Sequence, residues 1–548
     1  MNVHKDRRNP LAAKRSNTVT LDETWGLSAP EGPLSVYAED FADFLAVGFG
    51  VHTVGSEKKI ILKLSPVADH GCTVTVTENT VTFAGGAPDA VMRAAAWAEE
   101  TMTEYGGPWL PMGEFTFTPV VWPRLFTPAE ELTREYLLAA LHEGYSGVIP
   151  EENGALPLVK SLGLSAYQRA ETMADAWTGI DGLILPQPTQ HEPQNFSVIV
   201  DLTETTPAEA KAAIEKIPAG DGVWLSFDGG QAREIDGVPF VTVPGSLVQA
   251  EPQENLADLM NIARERGLNC WISDSGAGRS AEFGTVPYLP AMMQWLLRLE
   301  AVKNLRPDAL VESDALGYTP SIVSAFRAKQ MRDPHDEAGV TMQKLAAQYY
   351  GAANVDKIMM VFKKLTDGVN HLIPEKADLN GPLTYGPAYP LVKDVIYDFP
   401  FEEKDITLAT DQNLTAADAF NKAAMILKPI EGDGARELRA ICGFMANTMA
   451  SCANAKRWYR RVHVLQTETV DYKRRFLMEQ LVKIGRQEIE NAVDTAQYLY
   501  DCPALCGNRY ELLCTLDRLE AKISLTQSAV DEFDQKSRTY QQPRKEEE

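Results

Sequence analysis

The chain has 548 residues, 45% apolar and 23% charged, the balance of a soluble globular protein with more than one core. Its 76 Asp and Glu outnumber 52 Lys and Arg, a formal charge of −24, which argues against a nucleic acid or an anionic membrane as partner. The cysteines are seven and scattered; an odd set argues against a disulfide framework and for buried thiols in a reducing, cytoplasmic compartment.

In chain order, residues 1–25 and 541–548 are polar tails. The basic start MNVHKDRRNPLAAKRSNT has no apolar stretch of signal-peptide type. No segment reaches the ~20 apolar residues of a membrane span. Residues 26–118 are expected to form a small α/β domain. Asp40–Leu45 suits a short helix, and Lys59–Leu64, Cys72–Thr77 and Thr80–Ala84 suit strands by β-branched content and alternation. Gly85 and Gly86 break the last strand before a helix over Pro88–Thr103, which Gly106 and Gly107 end.

Residues 119–400 alternate short apolar runs with amphipathic segments, the pattern of a parallel α/β sheet. The strand candidates are Gly147–Pro150, Gly163–Gln168, Gly182–Pro186, Ser197–Leu202, Val223–Phe227, Asn269–Ser273 and Ala309–Val311. Helices fall at Glu130–Glu143, Pro207–Ile217 (Thr206 capping it), Gln253–Arg266 and Pro290–Leu305. Beyond the barrel, Val340–Tyr350 and Asn354–Asn370 read as helices. From 401 to 540 the chain is helical, with apolar stripes such as Leu438, Ile441, Met445, Met449 and Cys452, and a further helix over Arg509–Lys536. The predicted fold class is α/β: a (β/α)8 TIM-type barrel with an N-terminal α/β domain and a C-terminal helical domain.

Several segments resemble one group of enzymes. The run TFAGGAPDAVMRAAAWAEE followed by GGPWLPMGEFTF is similar to the non-catalytic domain preceding the barrel in family 20 β-hexosaminidases and in α-glucuronidases, with Phe83, Gly85, Gly86 and Met92 filling its turn-and-helix pattern. VVWPRLFTP resembles the first barrel strand of such enzymes. Gly317-Tyr318-Thr319-Pro320, the helix after it, the Asp333-Pro334 turn and YGPAYPLV resemble the end of their barrel. The resemblance implies a bacterial exo-acting glycoside hydrolase cleaving a terminal sugar from an oligosaccharide or glycoconjugate. A non-catalytic glycan-binding protein on a decayed glycosidase barrel is the alternative. The adjacent Asp-Glu pair of family 20 is missing, so no catalytic residue transfers by motif.

Glycosidic cleavage needs two carboxyl groups, one as acid and one as nucleophile or base, and barrel strand ends converge on one mouth. The strand-end carboxylates are Glu151, Glu152, Asp201, Asp228, Asp274, Glu312 and Asp314. Glu312 and Asp228 are the first candidate catalytic pair, with Asp274 the alternate; the other reading of Glu312 is a structural pairing with Arg124 inside the barrel. Asp314, Tyr318, Glu152, Arg279, Tyr385 and Tyr389 are candidates for sugar binding, because aromatic faces and polar groups hold saccharides. Trp224 and Trp271 read as core. Cys502 and Cys506 have no second pair to complete a zinc set, and the histidines are dispersed. The expected partners are a carbohydrate substrate and, in an assembly, a second copy of the chain; no cofactor or metal is expected.

Overall fold

The computed structural model describes residues 14–128, 130–228, 232–242, 245–248, 250–275, 283, 286–313, 320–333, 335–373, 391–392, 403–507 and 514–540. The chain forms two compact units. One comprises residues 1–228, 250–278 and 295–359; the other comprises 229–249, 279–294 and 360–548.

The first unit begins with a five-stranded sheet in the order Trp25–Ser28, Lys58–Leu64, Thr80–Gly85, Cys72–Val76, Gly113–Phe117. The first two pairings are parallel and the others antiparallel. Two helices cover it. The short helix expected at Asp40–Leu45 runs from Pro33 to Phe49, because Leu34, Tyr37, Phe41 and Leu45 recur every three or four residues and all bury. Pro33 suits its first turn and Gly50 (φ 68°) ends it. The second helix, Pro88–Tyr105, stops at Gly106 (φ 72°) in the same way. Gly85 lets it sit close to the sheet: a Cβ there would lie 2.5 Å from that of Ala90.

Eight parallel strands then close into a barrel: Arg124–Thr127, Gly147–Val148, Ser165–Arg169, Gly182–Leu185, Ser197–Asp201, Gly222–Ser226, Asn269–Ser275 and Ala309–Ser313, each beside its sequence neighbour and the last pairing with the first. Helices connect most of them; Gly182–Leu185 and Ser197–Asp201 are joined without one. Pro207–Ile214 carries the expected Thr206 cap, as a capping box with Glu209. Leu125, Ile149, Tyr167, Ile184, Ile199, Trp224, Trp271, Ala309 and Val311 form one buried cluster, the filling of the barrel. By strand alternation, Arg124, Phe126, Ile272, Asp274, Leu310 and Glu312 face the surrounding helices. Ile322–Arg332, Ala338–Tyr350 and Val355–Val369 follow the last strand.

Among its described residues the second unit holds four long helices, Glu403–Leu427, Asp433–Thr467, Asp471–Asp501 and Leu516–Thr539. The predicted stripe from Leu438 to Cys452 is buried. The last helix begins at Leu516, where the Thr515 side chain caps it, later than the expected Arg509. A hairpin, Ala232–Ile235 with Val238–Val241, belongs to this unit: Gln412 donates to Asp236 at 2.8 Å, and Phe240 packs with Ile373 and Ala409. All seven cysteines are free thiols, six of them buried. Among the described residues no helix is long and apolar enough to cross a membrane.

Candidate active site

The two faces of the barrel sheet carry different polar groups at their strand ends. On the outer face, Glu312 lies beside Asp274 in register. Arg327, from Ile322–Arg332, reaches both: it pairs with Glu312 and meets Asp274 at 3.0 Å. Arg298, from Met292–Leu305, pairs with Asp274 at 2.5 Å and Asp228 at 2.6 Å. Arg124 closes the other end, bonding Glu312, the Glu143 carbonyl at 2.6 Å and the Tyr145 hydroxyl at 2.9 Å. Three guanidinium groups thus alternate with three carboxylates, and no member is more than 5% exposed.

Burial alone would raise the pKa of Glu312 and Asp274. The flanking guanidinium groups outweigh it: Arg124 and Arg327 hold Glu312 below its ordinary range, and Arg298 and Arg327 do the same for Asp274. A carboxylate held ionised, saturated by arginine and shut away from water is a structural charge. It has no proton to donate near neutrality and no open face for a sugar. The contribution of Glu312, Asp274 and Asp228 in this arrangement is to pin two helices to the sheet.

Glu143 shows what burial does without such partners. Burial pushes its pKa up to about 7. One oxygen accepts from the Ser324 hydroxyl at 3.0 Å, and the other is buried without a hydrogen-bond partner.

The inner face ends differently. Asp201 and Trp224 are lateral neighbours, as are Trp224 and Trp271, so the three share the inward side. Arg169, two residues beyond the inward-facing Tyr167, meets Asp201 at 3.2 Å and lies 4.7 Å over the Trp224 ring. The Arg169 side chain is 55% exposed and that of Asp201 15%. Asp201 also accepts from the Thr203 amide at 3.0 Å and hydroxyl at 2.6 Å. The Trp224 indole N–H is buried with no hydrogen-bond partner, a donor that a ligand oxygen could satisfy. This cluster lies at the C-terminal strand ends, where a barrel carries its chemistry.

The other expected site residues fall as follows. Glu151 and Glu152 are exposed on the turn after Gly147–Val148. Asp314, Tyr318, Arg279, Tyr385 and Tyr389 lie outside the described residues. Sequence reasoning missed Arg169, whose signal was its place on the inner period of SAYQR. It also missed Arg298 and Arg327, whose signal was a lone cation on the apolar face of an amphipathic helix.

Among the described residues one group of three side chains has metal-ligand character: Asp40, Glu99 and His142. Asp40 meets the Nε2 of His142 at 2.7 Å and Glu99 its Nδ1 at 3.2 Å. Two carboxylates on opposite ring nitrogens hold an imidazolium better than they hold a metal, which needs a nitrogen lone pair. Burial opposes the charge, but Glu99 and Asp40 raise the pKa of His142 well above 6.5. The cluster ties the helices Pro33–Phe49 and Pro88–Tyr105 to Arg134–His142.

Among solved structures, a GH138 enzyme targeting pectin rhamnogalacturonan II matches this chain with a TM-score of 0.55 at 10% identity, over 94% of this chain and 100% of its own. The fold is glycoside hydrolase-like. A GH115 4-O-methyl-α-glucuronidase with specificity for decorated arabinogalactans aligns at TM-score 0.47, 10% identity, over 94% of this chain and 79% of its own. The GH20 β-N-acetylhexosaminidase of Streptomyces coelicolor aligns at TM-score 0.38, 11% identity, over 64% of this chain and 96% of its own. No family model matches the sequence, and no curated protein does. The glycoside hydrolase-like fold thus has the expected architecture of strand domain, closed parallel barrel and helical region.

Proposed function

We propose that the protein is an exo-acting glycoside hydrolase whose sugar sits at the barrel mouth against Trp224, Arg169 and Asp201. One observation carries the reading: the inward cluster at the strand ends joins an aromatic ring with an unpartnered donor to a carboxylate and a guanidinium within reach of solvent. Charged groups bind hydroxyls, and Trp224, a core residue covered by Arg169, floors the site rather than offering an open ring face. Asp201 is the carboxylate assigned to the scissile bond. The second carboxyl that hydrolysis needs is assigned from sequence to Asp314, which directly follows the last barrel strand. Tyr318, Arg279, Tyr385 and Tyr389 are retained as sugar contacts on the same sequence grounds. Glu312, Asp274 and Asp228 are assigned to stability.

A panel of aryl glycosides tests the reading. Release of aryl alcohol from at least one member, abolished in Asp201→Asn and in Asp314→Asn while Glu312→Gln retains turnover per folded molecule, is the expected result. Turnover lost in Glu312→Gln with undiminished stability would return the chemistry to the outer face. The second reading is a glycan-binding protein without turnover. It is favoured by the pairing of three of the seven candidate carboxylates with buried arginines, and saccharide binding without product would select it.

A further inference from the structure

Away from the mouth, the first unit carries a half-open cavity of about 120 Å3 among the helix Pro88–Tyr105, the strand Gly113–Phe117 and the helices Ile322–Arg332 and Ala338–Tyr350. It lies toward the opposite end of the barrel: the Val120 amide, just before the first barrel strand, donates to the Met331 carbonyl beside it. That volume has room for about ten waters, the bulk of one pyranose ring. Nothing in the barrel chemistry uses it.

Its walls have two parts. Trp97, half-buried, lies against Phe117 with ring centroids 5.4 Å apart, and both rings line the cavity. The remaining wall is ionic and balanced, with three cationic and four anionic side chains. Arg332 grips Glu100 through both terminal nitrogens, at 3.1 and 2.6 Å, with Lys329 on the same carboxylate at 2.9 Å. Lys344 holds Glu104 at 3.2 Å. The Arg332 side chain is nine-tenths buried, and its Nε–H has no hydrogen-bond partner.

Each feature narrows the ligand. An anion would face four carboxylates, and a cation would compete with cations already paired to them. A flat apolar molecule would leave the ionic wall unsolvated. A neutral ring with many hydroxyls can accept from the lysine and arginine N–H groups that line it, donate to carboxylate oxygens and lay C–H groups on an indole. We infer that this cavity is a second saccharide site, taking an uncharged monosaccharide or the end unit of a neutral glycan, separate from the mouth.

Fluorine NMR of the full chain labelled with 5-fluorotryptophan tests this, because Trp97 and Trp224 report the two places separately. Trp97→Phe and Trp224→Phe assign the two signals. The probes are glucose, galactose, xylose and N-acetylglucosamine, each to about 100 mM, roughly a hundredfold past a millimolar dissociation constant. Citrate and spermidine are the charged controls. The expected result is saturable movement of the Trp97 signal with at least one sugar, weakened about tenfold in Glu104→Ala, as for one lost charge-assisted hydrogen bond. A Trp97 signal that stays still, moves without saturating, or moves with the controls but no sugar overturns the inference. So does saturation that Glu104→Ala leaves unchanged.

Discussion

The barrel sheet presents charged groups on both faces of its strand ends, and the two sets do opposite work. Outside, Glu312, Asp274 and Asp228 are interleaved with Arg124, Arg327 and Arg298, so each buried charge has an opposite neighbour. Inside, Asp201 and Arg169 form one pair reaching solvent beside an indole whose N–H is unmatched. The lesson is that burial by itself says little about a carboxylate. Glu143 and Glu312 are both buried, yet their pKa values move in opposite directions, because two guanidinium groups face Glu312 and desolvation dominates at Glu143.

The sharpest way to break this contrast is Arg327→Met. It strips a partner from both Glu312 and Asp274 and should cost about 3–5 kcal/mol of unfolding free energy, measured by urea denaturation. A cost below about 1 kcal/mol would mean the outer chain of charges is not structural. On the inner face, Asp201→Asn should lower turnover by about 10²–10⁴-fold, the range for a lost acid–base group, with an unchanged melting temperature.

Glu143→Gln comes next in size. A folded pKa of about 7 against an ordinary 4.5 means that the folded state holds its proton longer than the unfolded chain. The wild type therefore loses stability as pH rises from about 4.5 to 7, by on the order of 2–3 kcal/mol. The variant should match it at acid pH and exceed it above pH 7 in denaturation series; equal slopes would refute the raised pKa. His142→Gln runs in the same pH direction from a different cause. The folded pKa of His142 is raised, so its stabilisation is complete below about pH 6.5 and lost as pH climbs through the raised value. The wild-type advantage, about 1.5 kcal/mol for charged hydrogen bonds, should fade at high pH. Smallest is the stability effect of Arg169→Met, under about 1 kcal/mol for a half-exposed pair, although saccharide affinity should fall.

Much of the fold was legible. Seven of the eight barrel strands overlap a segment read from apolar runs, the first overlaps VVWPRLFTP, read by resemblance, and the Thr206 cap and the glycine-ended helix Pro88–Tyr105 stand as read. The helix expected at Asp40–Leu45 extends to Pro33–Phe49, because Leu34 and Tyr37 carry the same apolar period one and two turns earlier. The candidate site was legible only as a set of positions. Asp201 and Glu312 both follow apolar runs, and a strand's period of two separates its faces without naming which is inside.

The sequence by itself determined the local order, because strand and helix periods, caps and turn glycines act over a few residues. It also carried enough pattern to imply the glycoside hydrolase resemblance. Only the tertiary structure decided which carboxylates meet arginine. Arg298 lies 70 residues from Asp228, and Arg124 lies 188 from Glu312; no local pattern encodes such pairings. They arise when the closed sheet sets one face against the helices, which brings Glu312, Asp274 and Asp228 onto arginine and leaves Asp201 on the inward side.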